Sequence, residues 1–314
     1  MAESVVLFLA GPTASGKTAV GVEVAERLGA EVISLDSMAV YRGMDIATAK
    51  ATAAERSRVR HHLMDIREPH EHFSAGEYAA EARQALGEIQ ARGKTALFVG
   101  GTPLYLKAMT EGLFEGPSAD WELREELGGI AQREGTGKLH EMLRERDAAA
   151  AARIHANDLR RLVRALEVYE KAGSAISSLQ TQFGREHGRF RSAIVGLRRT
   201  REDLYARIEA RVERMFEEGL VEETRALAGS DPPIGRAARQ AVGYAETLRH
   251  LAGELTLEEA KEEIKRRTRR FARKQLNWFR HFPSLRWVDV GKDEALARVA
   301  DRVEEAFREE MGKT

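Results

Sequence analysis

A glycine-rich segment near the N-terminus has the residue types and spacing of a phosphate-binding loop. It reads Gly11-Pro12-Thr13-Ala14-Ser15-Gly16-Lys17-Thr18, follows the apolar run Val5–Ala10 and precedes a helical pattern over Ala19–Leu28. Strand, loop and helix in this order turn successive backbone N–H groups towards an anion. Lys17 supplies a cation, and the hydroxyl of Thr18 can bind Mg²⁺ beside a phosphate. The segment therefore predicts a site for a di- or triphosphate with Mg²⁺, rather than a glycine-rich turn without a ligand.

An aspartate and a threonine follow two further apolar runs. Asp36 comes directly after Glu31–Leu35, and Thr102 follows Gly100-Gly101 at the end of the run Thr95–Val99. Ligands collect at the carboxyl ends of parallel strands, so we expect the glycine-rich loop, Asp36 and Thr102 to converge. There Asp36 can act as a general base, with a helix cap or a ligand of a magnesium-bound water as its alternative roles. No acid follows the third run, which weakens the interpretation as a nucleotide hydrolase.

Two segments of the chain carry an excess of basic residues. Thr256 and Glu259 have the spacing of a capping box that starts a helix, and this helix is basic from Lys265 to Arg280, with aromatic residues interleaved. A second basic strip lies between Arg153 and Arg164. Either segment alone could be a solvated helix face with arginine stems over the core. Two such segments in a chain of zero net charge make a nucleic-acid partner as good an interpretation as a solvated helix face.

The composition restricts the class of protein. The 314 residues suit one sizeable domain with an embellishment, or two domains, and they include no cysteine. Disulfides, thiolate zinc sites and cysteine nucleophiles are therefore excluded, and a reducing cytoplasm is the expected location. No apolar run approaches the length of a membrane span, and the N-terminus lacks the pattern of a secretory signal. We expect a cytoplasmic protein without a membrane partner.

The order of predicted elements indicates how these residues are positioned. Apolar runs alternate with helical patterns such as Tyr78–Arg92, which predicts a parallel sheet with right-handed crossovers. From about Asp120 the strand-like runs stop, and Ala148–Ala152 and Leu162–Tyr169 indicate a helical module that closes near a glycine. The candidates for that glycine are Gly173 and Gly184.

The later part of the chain returns to the sheet. Ser192–Leu197 is predicted as a strand, and an apolar face then marks one long helix, formed by Leu204, Ile208, Met215 and Leu220. The predicted fold class is α/β, a P-loop NTPase-like parallel sheet core with a helical insertion domain and a helical C-terminal part. Residues 1–115 and 192–314 form the core in this prediction, and residues 116–191 form the insertion.

The chain resembles the tRNA dimethylallyltransferase family, also called tRNA isopentenyltransferases, in its bacterial form. The resemblance extends from about Val5 to Trp287. It is carried, in chain order, by GPTASGKT from Gly11, DSMAVYRGMDIATAK from Asp36, HHLMDI from His61, VGGTPLYLKA from Val99, ARIHANDLRRLVRALEV from Ala152, QAVGYAE from Gln240 and RKQLNWFRHF from Arg273. Members transfer a dimethylallyl group from dimethylallyl diphosphate to the exocyclic N6 amine of the adenosine 3′-adjacent to the anticodon in tRNA, releasing pyrophosphate.

The resemblance implies roles for particular residues. Gly11 to Thr18 hold the diphosphate together with Arg211, Thr18 binds the Mg²⁺ cofactor, Asp36 is the general base, and Thr102 bonds the bridging oxygen as pyrophosphate leaves. It also implies tRNA contacts, assigned to Asp36, Ser37, Met38, Ala39, Thr102, Arg124, Arg160, Arg161, Leu162, Val163, Arg164, Arg239, Gln240, Val242, Gly243, Tyr244, Lys274 and Trp278. The expected partners are dimethylallyl diphosphate and the anticodon arm of tRNA, and the protein is expected to be a monomer. Arg160 stands where relatives can carry glutamine.

Three other functions stay open at this stage. A P-loop small-molecule kinase would need a nucleotide-base pocket and lid arginines, but no basic aromatic helix around Trp278. An adenylate isopentenyltransferase would share the loop and the base, yet it would act on free nucleotide. A non-enzymatic RNA-binding module would not need Lys17, Asp36 and Thr102 in these places.

Four histidines, His61, His62, His70 and His72, also invite a metal-site interpretation. Structural zinc is usually held by four ligands that often include cysteine. No cysteine or plausible tetrahedral set accompanies these histidines, so zinc is not favoured. We expect a structural role for His61.

Overall fold

The computed structural model describes residues 5–113, 116–179 and 190–312. The chain divides into two compact units. The first unit comprises Met1–Thr110 and Gly188–Thr314, and the second comprises Glu111–His187. The interval predicted for the insertion was 116–191.

A six-stranded sheet organises the first unit. All its pairings are parallel, in the order β3-β2-β4-β1-β5-β6. The strands are β1 Val5–Ala10, β2 Glu31–Leu35, β3 His61–His62, β4 Ala96–Gly100, β5 Arg191–Arg198 and β6 Leu285–Asp289. Strands β1 and β2 have the predicted bounds, because central strands buried on both faces read as continuous apolar runs. The predicted α/β parallel-sheet class is confirmed.

Sequence reasoning missed the two edge strands. β3 has only two residues, and these pair with Val32 and Ile33 of β2. β6 pairs with β5 but carries Arg286 and Asp289 among its five residues. Neither segment has the apolar run by which the buried strands can be recognised, since an edge strand is covered less completely.

Helices cover both faces of the sheet. In the first unit they are α1 Lys17–Leu28, α2 Ala53–Arg58, α3 Ala75–Ala91, α4 Pro103–Thr110, α10 Arg201–Glu217, α11 Leu220–Ala228, α12 Arg236–Gln240, α13 Tyr244–Leu251, α14 Leu257–Phe279 and α15 Leu296–Gly312. The predicted capping box of Thr256 and Glu259 is confirmed at the start of α14. The predicted helix through Leu220 was wrong in its length. Gly219 adopts a left-handed φ of 96°, which ends the helical path after α10, and Leu220 opens α11.

The second unit is helical. Its helices are α5 Trp121–Glu134, α6 Thr136–Arg146, α7 Ala148–Ala151, α8 Leu159–Ala172 and α9 Ile176–Leu179. They enclose a core of their own that includes Leu127, Leu139 and Leu166. Gly173 caps α8 with a left-handed φ of 62°, while Gly184 lies outside the described residues. No helix in the described ranges has the length and apolar character needed to cross a membrane.

Candidate active site

The glycine-rich loop joins β1 to α1 and curves tightly at the carboxyl edge of the sheet. Gly16 has a φ of 93°, a left-handed conformation that favours glycine, and it directly precedes the first helical residue, Lys17. A Cβ on Gly11 would lie 2.9 Å from Ser15 Oγ and 3.1 Å from Leu197 O. The loop therefore packs too closely for a side chain at Gly11, and the N-terminus of α1 opens onto it.

Lys17 and Ser15 give this loop the polarity of an anion site. The Nζ of Lys17 donates to Pro12 O at 3.3 Å. Burial lowers the pKa of Lys17 to about 8, although the nearby charge of Asp36 raises it. The Oγ of Ser15 is buried, with no hydrogen-bond partner in the part of the chain that the structure describes. A buried hydroxyl without a partner is costly, and a phosphate oxygen in the loop would supply one.

Arg211 reaches the loop from α10. Its Nη1 donates to Thr13 Oγ1 at 2.9 Å, and its Nη2 donates to Ala47 O at 3.0 Å. The Nε is buried and has no partner among the described residues. Burial lowers the pKa of Arg211 to about 10, so the guanidinium stays charged at neutral pH. Arg211 therefore joins the glycine-rich loop to the segment after Asp36, and its Nε–H can still donate to a bound anion.

Asp36 and Thr102 meet at the ends of β2 and β4. The strands approach so closely that a Cβ on Gly100 would lie 2.2 Å from Leu35 O. The amide of Thr102 donates to Leu35 O at 3.1 Å, and Thr102 Oγ1 accepts a bond from the amide of Ser37 at 3.1 Å. Because the Thr102 oxygen accepts this bond, its hydroxyl can still donate a hydrogen bond to a substrate.

The carboxylate of Asp36 is oriented by the turn that follows it. Its Oδ1 accepts bonds from the amides of Met38 at 2.8 Å and Ala39 at 3.4 Å. Both hydrogen bonds that Asp36 accepts within the described residues use this one oxygen, so Oδ2 is available to receive a proton. The negative charge also acts on Lys17 and Arg211, whose pKa values it raises against the effect of burial. The predicted convergence of the loop, Asp36 and Thr102 is thus confirmed, while their chemical roles stay predictions.

Three side chains that form hydrogen bonds with the backbone of this site were not predicted from the sequence. Arg199 Nε donates to Ser15 O and Arg207 Nε donates to Ala14 O, each at 2.9 Å. Gln275 lies on the buried face of α14 and bonds backbone groups of Thr13 and Gly101. The spacing of Ala272, Gln275 and Phe279 is the available signal for Gln275, because residues three and four apart share a helix face.

The basic helix α14 divides into two parts. Lys261 and Lys265 contact Glu213, Arg269 contacts Glu209 at 2.9 Å, and Arg267 contacts Glu246, so these cations hold α14 to its neighbours. Further along, Arg270, Arg273 and Lys274 are exposed. Phe271 and Trp278 on the same stretch are 45 % and 46 % exposed. We call this set, from Arg270 to Trp278, the cationic face of α14.

The segment Arg239–Tyr244 is tied closely to the core. Arg239 Nε donates to Ile234 O at 2.9 Å, whereas Gln240 is exposed. Tyr244 is buried, and its hydroxyl donates to Glu223 Oε1 at 2.6 Å. Glu223 also accepts bonds from the amide of Ile46. Of this predicted tRNA-contacting segment, only Gln240 and Arg239 expose much side chain, and Val242 is half-buried.

In the second unit, the predicted tRNA contacts have different surroundings. Arg160 and Arg161 are exposed on α8, Val163 is half-buried, and Leu162 is buried in the core, so an RNA could reach Leu162 only through its backbone. Arg124 donates to the buried carboxylate of Glu167 at 2.7 and 2.9 Å, and Arg164 donates to it at 2.5 Å. Burial alone would raise the pKa of Glu167, but the bonds from Arg124, the Asp120 amide and Arg164 hold it below its ordinary value.

This arrangement predicts that Arg124 and Arg160 differ in their effect on stability. When Arg124 is removed, Arg164 and the Asp120 amide still bond Glu167, so the cost is that of losing one charged hydrogen-bonding partner, about 1.5–3 kcal/mol. We therefore expect Arg124→Met to destabilise the second unit by about that amount and to speed amide exchange along α5 and α8. Hydrogen–deuterium exchange measures this directly, with Arg160→Met as the control. Equal protection in the two variants would contradict the structural role of Arg124.

Two of the four candidate histidines form hydrogen bonds with protein groups. The Nδ1 of His61 lies 2.7 Å from Val59 O, and burial lowers the pKa of its imidazole. The Nε2 of His62 lies 2.7 Å from Glu31 Oε2. Within the described ranges, no three His, Cys, Asp or Glu side chains are grouped so as to hold a metal ion.

Comparisons with known proteins agree on one family. Residues 39–282 match the family model described as IPP transferase. The tRNA dimethylallyltransferase of Symbiobacterium thermophilum is 48 % identical over 304 residues, which cover 96 % of this chain and 95 % of that protein. The corresponding protein of Geobacter metallireducens is 45 % identical over 283 residues, 90 % of this chain and 92 % of its own.

Solved structures show the same relationship. The tRNA isopentenylpyrophosphate transferase of Bacillus halodurans superposes with a TM-score of 0.70 at 39 % identity, covering 98 % of both chains. A eukaryotic dimethylallyltransferase described as acting on tRNA superposes with a TM-score of 0.74 at 27 % identity, over 91 % of this chain and 74 % of its own. On these matches, which extend over nearly its whole length, the chain belongs to the tRNA dimethylallyltransferase family.

Proposed function

We propose that this protein transfers a dimethylallyl group from dimethylallyl diphosphate to the N6 amine of the adenosine 3′-adjacent to the anticodon in tRNA. One observation carries the proposal: an anion site lies beside Asp36 and Thr102, and its buried Ser15 hydroxyl and Arg211 Nε have no partner among the residues that the structure describes. In the reaction, a bond forms between N6 and the terminal carbon of the dimethylallyl group. The bond from that carbon to the diphosphate oxygen breaks, and the amine loses one proton.

The leaving group needs its charge neutralised. Lys17, Arg211, the loop amides and the N-terminus of α1 present positive charge to the diphosphate, which lowers the cost of separating it from carbon. The Thr18 hydroxyl at the start of α1 suits a Mg²⁺ ion whose other ligands would be diphosphate oxygens and water. When bound, Mg²⁺ would supply further charge neutralisation. The Thr102 hydroxyl can donate a hydrogen bond to the bridging oxygen as pyrophosphate departs.

The acceptor amine needs a base and access. The lone pair of an adenine amine is delocalised into the ring, so the amine is a poor nucleophile until Oδ2 of Asp36 accepts its hydrogen bond and then its proton. A stacked base cannot reach the allylic carbon, so the adenosine must be flipped out of the anticodon loop. The cationic face of α14, and Arg160 and Arg161 of the second unit, are suited to hold the RNA backbone and exposed bases. We propose that the protein acts as a monomer in the cytoplasm.

The lysine of the loop makes diphosphate binding dependent on pH. Lys17 is charged below its pKa of about 8 and neutral above it, so pyrophosphate affinity should fall as the pH rises through that value. A charged hydrogen bond contributes about 1.5–3 kcal/mol, so Lys17→Met should weaken binding about 10–100-fold at neutral pH. Calorimetric titrations of both proteins across this range test this, because the ratio of their affinities cancels the ligand's own titration. A ratio independent of pH would contradict the assignment.

The acceptor is tested by supplying alternatives. The protein is incubated with labelled dimethylallyl diphosphate and either unmodified tRNA or AMP. Label in tRNA alone supports the proposal, whereas label in AMP would identify an adenylate isopentenyltransferase. Saturable ATP hydrolysis stimulated by a small metabolite would favour a kinase.

A further inference from the structure

The buried face of α14 carries a single amide among apolar neighbours. Gln275 is 4 % exposed and lies between Ala272 and Phe279, which are both fully buried. The cationic face of the same helix points away from it, since Arg273, Lys274 and Trp278 are exposed. Gln275 is therefore placed to act inside the site rather than on a nucleic acid.

The oxygen and the nitrogen of the Gln275 side-chain amide each form a hydrogen bond with the backbone of the active site. The Oε1 of Gln275 accepts a hydrogen bond from the amide of Thr13 at 2.9 Å, and its Nε2 donates to Gly101 O at 2.6 Å. Thr13 belongs to the glycine-rich loop, and Gly101 directly precedes Thr102. One side chain thus connects the loop that holds the diphosphate to the turn that carries Thr102.

The atoms around Gly101 and Gln275 are closely packed, so this hydrogen-bonded connection has little room to move. A Cβ on Gly101 would lie 2.6 Å from Gln275 Nε2, 3.0 Å from Gly11 O and 3.4 Å from Lys17 Cε. A buried amide or carbonyl that is left without a hydrogen-bond partner destabilises the structure. Without Gln275, the loop and the turn would have to move to satisfy Thr13 N–H and Gly101 O.

We propose that Gln275 is a positioning residue, which fixes the separation between the diphosphate loop and Thr102. It touches no reacting atom and acts through Thr13 and Gly101. The inference rests on the proposed function, because the separation matters only if both parts act on one diphosphate. A glutamine is required, since the position needs an acceptor and a donor on one planar group.

Two variants separate hydrogen bonding from packing. Gln275→Met keeps a similar length and removes both bonds. Gln275→Glu keeps the shape, but while ionised it cannot donate to Gly101 O. When that carboxyl binds a proton, its O–H can donate to Gly101 while its other oxygen accepts from Thr13. Lowering the pH therefore restores the bonding pattern in Gln275→Glu alone.

The measurement is kcat of each variant divided by the wild-type kcat at the same pH, which cancels the pH dependence that the proteins share. Because each variant leaves buried backbone groups without a hydrogen-bond partner, we expect kcat of both variants to fall about 10–100-fold at neutral pH. The ratio should rise with falling pH for Gln275→Glu and stay flat for Gln275→Met. The charges of Lys17, Arg211 and Asp36 around this position set the pH at which the rise occurs.

An exposed glutamine provides a matched control for Gln275→Glu. Gln84 is an exposed amide on α3 that bonds Glu88, and Gln84→Glu should keep a ratio near one at every pH. Wild-type kcat in Gln275→Met would overturn the proposal, and so would a pH-independent ratio for folded Gln275→Glu. The recovery of Gln275→Glu at low pH also shows that its loss at neutral pH is not misfolding.

Pyrophosphate binding tests the role of Gln275 independently of transfer to tRNA. If the wild-type protein transfers nothing to tRNA, the proposed function fails, and Gln275 is then judged by pyrophosphate titration alone. We expect the Kd for pyrophosphate to rise about tenfold in Gln275→Met, equivalent to about 1.4 kcal/mol. An unchanged Kd would overturn the positioning role.

Discussion

Asp36→Asn is expected to lower kcat by about 10²–10⁴-fold, the usual contribution of a general base. Asparagine keeps an oxygen that can accept the bonds from the amides of Met38 and Ala39, so the turn after β2 should survive. It cannot take a proton from the adenine amine. The KM for dimethylallyl diphosphate and the affinity for tRNA should change little, because both are bound mainly by other residues.

Steady-state kinetics with unmodified tRNA and pyrophosphate titrations measure the two effects separately. Asp301→Asn is a matched control, since Asp301 is an exposed acid on α15 that pairs with Arg27. Near-normal turnover of Asp36→Asn would leave Asp36 as a residue that only orders the turn or binds a magnesium-bound water.

Removing charge from the cationic face of α14 is expected to weaken tRNA binding by about 10²-fold at 0.1 M salt, if Arg270, Arg273 and Lys274 each contact one phosphate. Each lost contact also removes about 0.7–0.9 from the slope of log affinity against log salt concentration. The variant Arg270→Gln, Arg273→Gln, Lys274→Gln should therefore show a flatter salt dependence. Its pyrophosphate affinity should not change, because the ionic contacts of α14 with α10 lie elsewhere on the helix.

Filter binding over a range of salt concentrations tests this expectation. The control replaces three exposed cations of α15, Arg298, Arg302 and Arg308, with glutamine, which gives the same change in net charge. If the control lost as much affinity as the α14 variant, the effect would come from net charge alone. Unchanged affinity of the α14 variant at every salt concentration would remove α14 from the RNA interface.

The parts of the site that could be predicted from the sequence are marked by a local sequence pattern or have a place set by the parallel sheet. Val5–Ala10 and Glu31–Leu35 are buried on both faces, so their apolar runs identified the strands, and the parallel-sheet rule then placed Asp36 near Thr102. The Thr256–Glu259 capping box identified the start of α14 because both partners are local. In each case the interacting residues are close in sequence or are related by a repeating architecture.

The contacts that support the loop follow no such local pattern. Arg199 and Arg207 bond loop carbonyls from 184 and 193 residues away, and Gln275 bonds Thr13 from 262 residues away. Their partners are backbone atoms, so no complementary residue type marks the pairing. Arg124 and Arg164 show the converse. The family resemblance implied that both contact tRNA, and Arg164 also belongs to a basic strip, whereas in the structure both guanidinium groups bond Glu167.

The most direct measurement follows labelled dimethylallyl diphosphate into two transcripts of one tRNA. The transcripts differ only in the nucleotide 3′-adjacent to the anticodon, which is adenosine in one and guanosine in the other. After digestion to nucleosides, we expect label on N6 of adenosine from the first transcript and none from the second. Equal labelling of both transcripts, or labelling of AMP instead of tRNA, would contradict it.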